Sequence, residues 1–435
     1  MKKVISIIDA FGFVILGSGF ALMIMFVLSV MWFFGNRYKK GSEVRQLSFA
    51  IFDLISNKYS SMFEDALLNG YVSKHYYIYL DYDHGADRFE NIDDKIYFYS
   101  VAAHPDRGVY KAGFRRISSL LVEVKTLTLA IRISAAERVT FVKAHDPHLI
   151  GLNGLVIAKL FRLPCILHLN SDFDMKYRGT GRVASPVFVS RSLERIFERM
   201  VLSSYDMVMA DREFYKNSKN YPKNRLGRYI ATGVRVDSLH YSEPSARRNL
   251  RQYLGLKNEK IVLYVGRLHP VKYPDDAIKA FSIIKRSVSD SVFIVVGAGI
   301  MKNYLEDLAA AENIRESVRF LGPKKYEELV DILATADVLL APHGGMTLVE
   351  SALAATPIVT YDFDWHPEVV EEGKMGYMVP FRDVGALARK TERILLDDGL
   401  RKNMGEYCRG VAVSRYSRSK SLEKEKGIYD MLVKG

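Results

Sequence analysis

Arg267 and Lys272 stand five residues apart on one short segment, VGRLHPVK (265–272), directly behind an apolar run that ends at Gly266. Two cations on one loop can embrace a diphosphate, the arginine by its planar fork and the lysine as a point charge. A solvated loop is the alternative reading of the same residues. Behind another apolar run lie Gly297 and Gly299 in VVGAG (295–299), a weak signal because many βα turns need glycine. The segment LLAPHGGMTLVESALAATPIV (339–359) says more: a strand ending in Pro342 is followed by His343, Gly344 and Gly345, and a helix is expected to begin near Met346 and Thr347. Glycines at such a place let backbone N–H groups approach an anion. Glu350, one turn into that helix, can accept hydrogen bonds from a ribose diol. A carboxylate near a positive helix end is favoured without any ligand, but beside Arg267 and Lys272 the ligand reading prevails. A fourth cluster, YDFDWHPEVV (361–370), offers Asp364 as an acceptor for hydroxyls and Trp365 as a ring that stacks on a sugar or simply packs.

The first half has its own candidates. KAHDPH (143–148) and LNSDFD (169–174) each follow an apolar run. His145, Asp146 and His148 suggest a metal at first sight, but no further His/Cys cluster completes a site, so none is expected. Facing a diphosphate, His145 reads better as a hydrogen-bond donor or acid/base near the sugar.

These segments need strands to end just before them, and the chain supplies the strands. Short apolar runs alternate with amphipathic stretches, the pattern of βα units on largely parallel sheets. Predicted strands cover 46–55, 75–82, 138–145, 164–170 and 206–210, then, after the polar segment SEPSARRN (242–249), 260–266, 291–297, 318–322, 338–342 and 356–362. SRSLERIFERMVLSS (190–204) is a predicted helix whose Leu193, Ile196, Phe197, Met200 and Val201 fall on one face. PDDAIKAFSIIKRS (274–287) is another, with proline at its start and carboxylates in its first turn. The stretch 83–108 shows no clear periodicity. Two such series read as two Rossmann-like domains, over 37–240 and 241–415, with 416–435 as a closing helix. Ligands of such sheets bind at the carboxyl ends of the strands, so a site in a cleft between facing domains is expected.

Ahead of them, Ala10–Gly35 is a run of 26 residues without a charge, ending in Trp32, Phe33 and Phe34 and followed by Arg37, Lys39, Lys40 and Arg45. Its length suffices to cross a bilayer, and its flanks put the body of the protein on the cytoplasmic side; residues 1–36 are therefore read as a membrane anchor. A cleaved signal peptide has a shorter apolar region. The formal charge of +12 over 435 residues attracts phosphate-bearing partners of any kind, yet no nucleic-acid motif accompanies it. Two cysteines, Cys165 and Cys408, exclude a disulfide framework. GVYKAGFRRISSLLVEVK (108–125) combines Lys111, Arg115 and Arg116 with apolar residues at near-helical spacing. It is read either as a basic helix against lipid or a phosphate-bearing acceptor, or as a helix packed on the sheet.

Taken in order, these segments resemble the family-4 retaining glycosyltransferases of GT-B fold over roughly residues 138–430. The resemblance is carried by HDP (145–147), TGVRVD (232–237), the GRL…K of Arg267 and Lys272, VGAG (296–299), VRFLG (318–322), ATADVLLAP (334–342) and Glu350 before ALAATPIV. It implies a nucleotide-sugar donor bound mainly by the second domain, no metal or other cofactor, and retention at the anomeric carbon. Arg267 and Lys272 would then hold the diphosphate, Glu350 the ribose, and His145 would lie near the sugar and leaving phosphate. The acceptor expected with the anchor is a membrane-associated glycan or a lipid-linked intermediate. The sequence also departs from the family. Pro342 stands where the family usually has a second glutamate, DWHPE replaces its GGxPE turn, and LISNKYSS (54–61) replaces its glycine-rich first loop. His343 and Asp364 are therefore expected to orient the sugar. Pro342 also motivates an alternative, a catalytically inactive GT-B scaffold that binds a nucleotide or a partner.

Overall fold

The computed structural model describes residues 43–50, 70–81, 87–92, 94–102, 115–169, 190–217, 221–232, 250–416 and 418–433, with isolated residues between 173 and 188. The Ala10–Gly35 run, the 54–61 segment, Lys111 and TGVRVD beyond Thr232 lie outside them, and of Arg115 and Arg116 only the backbone is described. Among the described residues no helix is long and apolar enough to cross a membrane. The chain divides into two compact units, one of Met1–Tyr177, Gly181–Thr232 and Leu422–Gly435, the other of Arg178–Thr180 and Gly233–Ser421.

The first unit is built on eight strands: β1 (Arg45–Ala50), β2 (Lys74–Asp81), β3 (Arg88–Ile92), β4 (Ile96–Ala102), β5 (Phe141–His145), β6 (Cys165–Leu169), β7 (Met207–Ala210) and β8 (Tyr229–Ala231). They lie in the order β3-β4-β2-β1-β5-β6-β7-β8, and all pair in parallel except β3 with β4. Parallel strands covered on both faces read as near-continuous apolar runs, as β6 does, with all of CILHL buried and His168 its one polar residue. The helices α1 (Arg115–Glu137), α2 (Leu149–Phe161) and α3 (Arg191–Ser204) connect the strands, and one core of Leu47, Ile78, Val142, Ile157, Leu167 and Val201 forms beneath them. The β3–β4 pair falls in the stretch whose sequence shows no periodicity. β3 is an edge strand with its three central residues exposed, so it carries little apolar signal.

The stripe expected on 190–204 is split: Val201 is buried and Phe197 packs half-buried against the core, but the other three residues face outward. Leu193, Ile196 and Met200 are exposed, while Arg191, Glu194 and Glu198 are buried.

The second unit holds six parallel strands, β9 (Lys260–Val265), β10 (Ser291–Val296), β11 (Val318–Gly322), β12 (Val338–Leu340), β13 (Ile358–Tyr361) and β14 (Gly376–Val379). Their order is β11-β10-β9-β12-β13-β14, the doubly wound sequence 3-2-1-4-5-6 when counted from β9. The helices are α4 (Pro274–Ser287), α5 (Lys302–Ala311), α6 (Tyr326–Thr335), α7 (Thr347–Leu353), α8 (His366–Val369), α9 (Val384–Leu396) and α10 (Asp398–Arg415). As its sequence predicts, α4 opens on Pro274 with Asp275 and Asp276 in its first turn and ends on Lys285 and Arg286.

The last helix, α11 (Arg418–Val433), packs Leu422, Ile428, Tyr429 and Val433 on Phe141, Ile166 and Met209 of the first sheet. Its Glu425 meets Lys143 of β5 at 2.7 Å, both side chains buried.

Candidate functional site

The direction of crossover in the second sheet reverses between β9 and β12, so the loops leaving these two strands diverge and leave a crevice at their carboxyl ends. Arg267 and Lys272 are on the first loop, and His343, Gly344 and Gly345 on the second. After Gly266 the first loop buries Leu268 and closes in a single 3-10 turn, Pro270–Lys272, capped by the His269 side chain. Arg267 is exposed, and no hydrogen bond or carboxylate engages its guanidinium among the described residues.

Gly297 and Gly299 explain how that loop is held. A Cβ on Gly297 would lie 1.9 Å from the Gly266 carbonyl oxygen, and one on Gly299 2.3 Å from that of Leu268. Both have positive φ, 139° and 157°. The two backbones are bonded through Gly266 N to Val296 O and Leu268 N to Ala298 O, at 3.0 and 2.9 Å. These glycines let the loop after β10 lie against the loop that carries Arg267.

The loop after β12 is fixed on both sides. His343 donates from Nδ1 to Val271 O at 2.6 Å, and its Nε2 lies 3.4 Å from Asp364 Oδ2. Asp364 itself sits at φ 58°. Behind it the buried His366 ring contacts Tyr361 O and Thr360 Oγ1 at 2.8 Å and Gly344 O at 3.3 Å. Burial, then the neighbouring His343, pushes the His366 imidazole down to about 4, so it is neutral at pH 7. Lys272 Nζ comes within 3.9 Å of the place a Cβ on Gly345 would occupy. The ammonium therefore lies over the glycine backbone, with room left by the missing side chain. Met346 is exposed at the rim, and Thr347 Oγ1 is buried with no hydrogen-bond partner.

Glu350 completes the group. It is 9% exposed, and its carboxylate has no hydrogen bond or ion pair among the described residues. Burial alone raises it to about 7. A buried acceptor without a donor is costly, and a ligand hydroxyl would satisfy it.

Two expectations change. Trp365 is 1% exposed and belongs to the core, so it does not present a face to a sugar. His343, with both ring nitrogens engaged, positions the loops rather than standing open to hydroxyls.

In the first unit His145 ends β5, half-buried, its ring 5.0 Å from that of His168. Asp146 follows at φ 93° and accepts from His148 through the backbone N–H at 2.7 Å and ring Nδ1 at 2.6 Å. His148 Nε2 bonds Glu198 at 2.9 Å and lies 3.4 Å from Glu194. Burial lowers the basicity of this ring, but the charge and hydrogen bond of Asp146, with Glu198, outweigh it and hold His148 at about 9.

The donor atoms of His148, Glu194 and Glu198 lie within 4.8 Å of one another, the spacing of a metal site. The cluster does not fit one, because Arg191 Nη1 already bonds Glu194 at 2.7 Å and Glu198 at 2.5 Å, and a protonated imidazole is no ligand. The sequence reading missed this ion-pair network because its glutamates lie on what looks like the solvated face of a helix.

Residues 246–411 match the family of glycosyl transferases group 1. This module belongs to the group 1 glycosyl transferases. Alpha-D-kanosaminyltransferase of Streptomyces kanamyceticus is 25% identical over 284 residues, 63% of this chain and 72% of that protein. D-inositol 3-phosphate glycosyltransferase of Corynebacterium jeikeium is 28% identical over 253 residues, 55% of this chain and 60% of the relative. The family match lies within the second unit. A sucrose-phosphate synthase from Thermosynechococcus elongatus superposes with a TM-score of 0.72 at 17% identity, over 90% of this chain and 99% of its own. Anabaena HepE, solved with UDP, gives 0.67 at 16% identity over 90% and 100%. At such identities the likeness is one of fold, the GT-B fold with its two Rossmann-like sheets.

Proposed function

We propose that this protein is a retaining glycosyltransferase that takes a sugar from a nucleotide-diphosphate donor bound by the second unit. The observation that carries the proposal is Glu350, a buried carboxylate without a protein donor, on the same strand-end surface as Lys272 and Arg267. Ribose hydroxyls would supply the missing donors, and the two cations would take the diphosphate. In the reaction the bond from the anomeric carbon to the distal phosphate oxygen breaks, and the nucleoside diphosphate leaves with the electron pair. The acceptor oxygen bonds that carbon and passes its proton to the departing phosphate oxygen. Charge grows on the departing phosphate, where Arg267 and Lys272 would stabilise it most in the transition state. His145 is proposed to serve the same donor as a hydrogen-bond or acid/base group. HepE has been solved with UDP-glucose, which supports a uridine nucleotide as the first donor to test.

Retention and independence from metal are what the ordered motifs imply. The acceptor proposed is a membrane-associated glycan or lipid-linked intermediate, because Ala10–Gly35 has the length and flanks of a cytoplasm-facing anchor. Incubation of the full chain with a panel of nucleotide sugars, reading nucleoside diphosphate release with and without membrane extract, tests the activity. The anomeric configuration of the product, read by NMR, tests retention. Nucleotide binding without turnover of any donor would favour the inactive scaffold instead.

A further inference from the structure

We propose that the outward face of α3 is a docking surface for anionic lipid. This helix, Arg191–Ser204, buries Val201 and Leu202 as an ordinary surface helix would, but it also buries charges and exposes a second set of apolar residues. Its inner arc carries Arg191, Glu194 and Glu198, and its outer arc carries Leu193, Ile196 and Met200, which are 51%, 66% and 49% exposed. The three apolar residues share one side because they are spaced by three and four along a helix.

The rotation of the helix is not free to change. Arg191 bonds Glu194, Glu198 and Asp174, the last at 2.9 Å, and Glu198 bonds His148. Ser190 caps the N-terminus by accepting from Leu193 N. Turning the apolar arc inward would pull every one of these charges off its partner and leave it buried and unpaired, which is strongly unfavourable. The structure therefore keeps the apolar arc outside, where a contiguous strip of this kind marks an interaction surface.

Charge selects the occupant. Both glutamates of the helix point inward, so its outer surface carries no negative side chain. Arg199 is exposed beside the strip, and Arg195, half-exposed while bonded to Asp174, borders the same flank. Apolar residues edged by arginine suit the boundary between acyl chains and anionic headgroups. A second copy would bring like charge against these arginines, in a chain whose formal charge is +12. The uncharged run Ala10–Gly35 gives an independent reason for this chain to be near lipid. None of this rests on sugar transfer, so the inference and the proposed function can fail separately.

The full chain tests it. The native Cys165 and Cys408 are buried, so a cysteine placed by Ile196→Cys can be labelled selectively with a fluorophore. Lys402→Cys, at a side chain 77% exposed on the second unit, serves as the aqueous control. The protein is placed in nanodiscs of phosphatidylcholine, with or without phosphatidylglycerol, and quenched by lipid-borne nitroxide or by iodide. With phosphatidylglycerol, nitroxide should quench the 196 label several-fold more than the 402 label, iodide correspondingly less, and high salt or Arg199→Glu should weaken the difference. A 196 label as open to iodide as the 402 label overturns the proposal. So does a label shielded from both quenchers, which would mean that another part of the chain or a second copy covers the strip. Equal lipid quenching in neutral and anionic discs overturns the charge argument.

Discussion

His343 donates its Nδ1 proton to the carbonyl of Val271 at 2.6 Å, tying the loop after β12 to the turn that ends in Lys272. The bond spans the topological switch point, and it couples the glycine loop to the cation that lies over it. His343→Ala should therefore weaken nucleoside diphosphate binding as well as transfer, by about tenfold for the loss of roughly one neutral hydrogen bond and its ordering effect. Titration calorimetry with UDP checks this. Unchanged binding with reduced transfer would instead restore a direct contact between this ring and the sugar.

Arg267→Ala and Lys272→Ala should each lower kcat/KM by more than about tenfold. Removing one partner of a desolvated charge pair costs on the order of 2–5 kcal/mol, and about 1.4 kcal/mol is a factor of ten. Arg267→Lys should recover only part of the loss, because an ammonium cannot reproduce the planar fork. Native turnover by the double variant would sink the assignment.

Glu350 sets function against stability. Its carboxyl titrates near 4.5 in an unfolded chain and at about 7 in the folded one. Between these values the folded state binds more protons, so stability falls as pH rises through that window, by at most about 3 kcal/mol. Glu350→Gln removes the penalty. It should melt higher than the native chain at pH 8, show little difference at pH 4.5, and bind nucleotide less tightly because an amide is a poorer acceptor. A lower melting temperature at pH 8 with unaltered nucleotide binding would make Glu350 a structural residue.

Trp365 should behave as core. Trp365→Ala should cost about 3–5 kcal/mol of stability, whereas Trp365→Phe should fold and leave the KM for the sugar donor unchanged. A raised KM in a well-folded Trp365→Phe variant would return the ring to the sugar.

The strands that position the site were legible because a parallel strand buried on both faces is an uninterrupted apolar run, and the residue types needed for a diphosphate stand just behind such runs. Arg267, Lys272 and Glu350 could be singled out on those grounds. What the chain does not print locally is contact between distant loops. Gly297 is only a weak signal until its neighbour, the Gly266 carbonyl, is in place, and His343 reads as a sugar contact until Val271, 72 residues earlier, takes its proton. The same holds for α3. Its glutamates look solvated unless His148, 50 residues upstream of Glu198, is known to lie against them. The β3–β4 pair escaped for another reason: an edge strand with an exposed centre lacks the burial that makes periodicity visible.

That network around His148 makes the first unit sensitive to alkali. The imidazole titrates near 6.5 when unfolded and at about 9 when folded, since Asp146 and Glu198 favour its charged form more than burial opposes it. Below about pH 6.5 both states are protonated and the stabilisation is complete. As pH rises through 9 the folded ring loses its proton, and up to about 3 kcal/mol is lost with it. Free cysteines do not confuse the window, because burial raises Cys165 and Cys408 to about 12. Thermal melts of the native chain at constant ionic strength should therefore decline between pH 6.5 and 9.5. His148→Gln keeps a donor toward Asp146 but cannot be charged. It should start lower at pH 6.5, lose less over the same interval, and approach the native curve near pH 9.5. Two parallel curves would show that His148 is not the proton-binding group, and that Arg191 alone balances Glu194 and Glu198. Because Asp146 holds its left-handed turn directly after His145, the native rate should fall over the same alkaline window, more steeply than that of a His148→Gln variant assayed beside it.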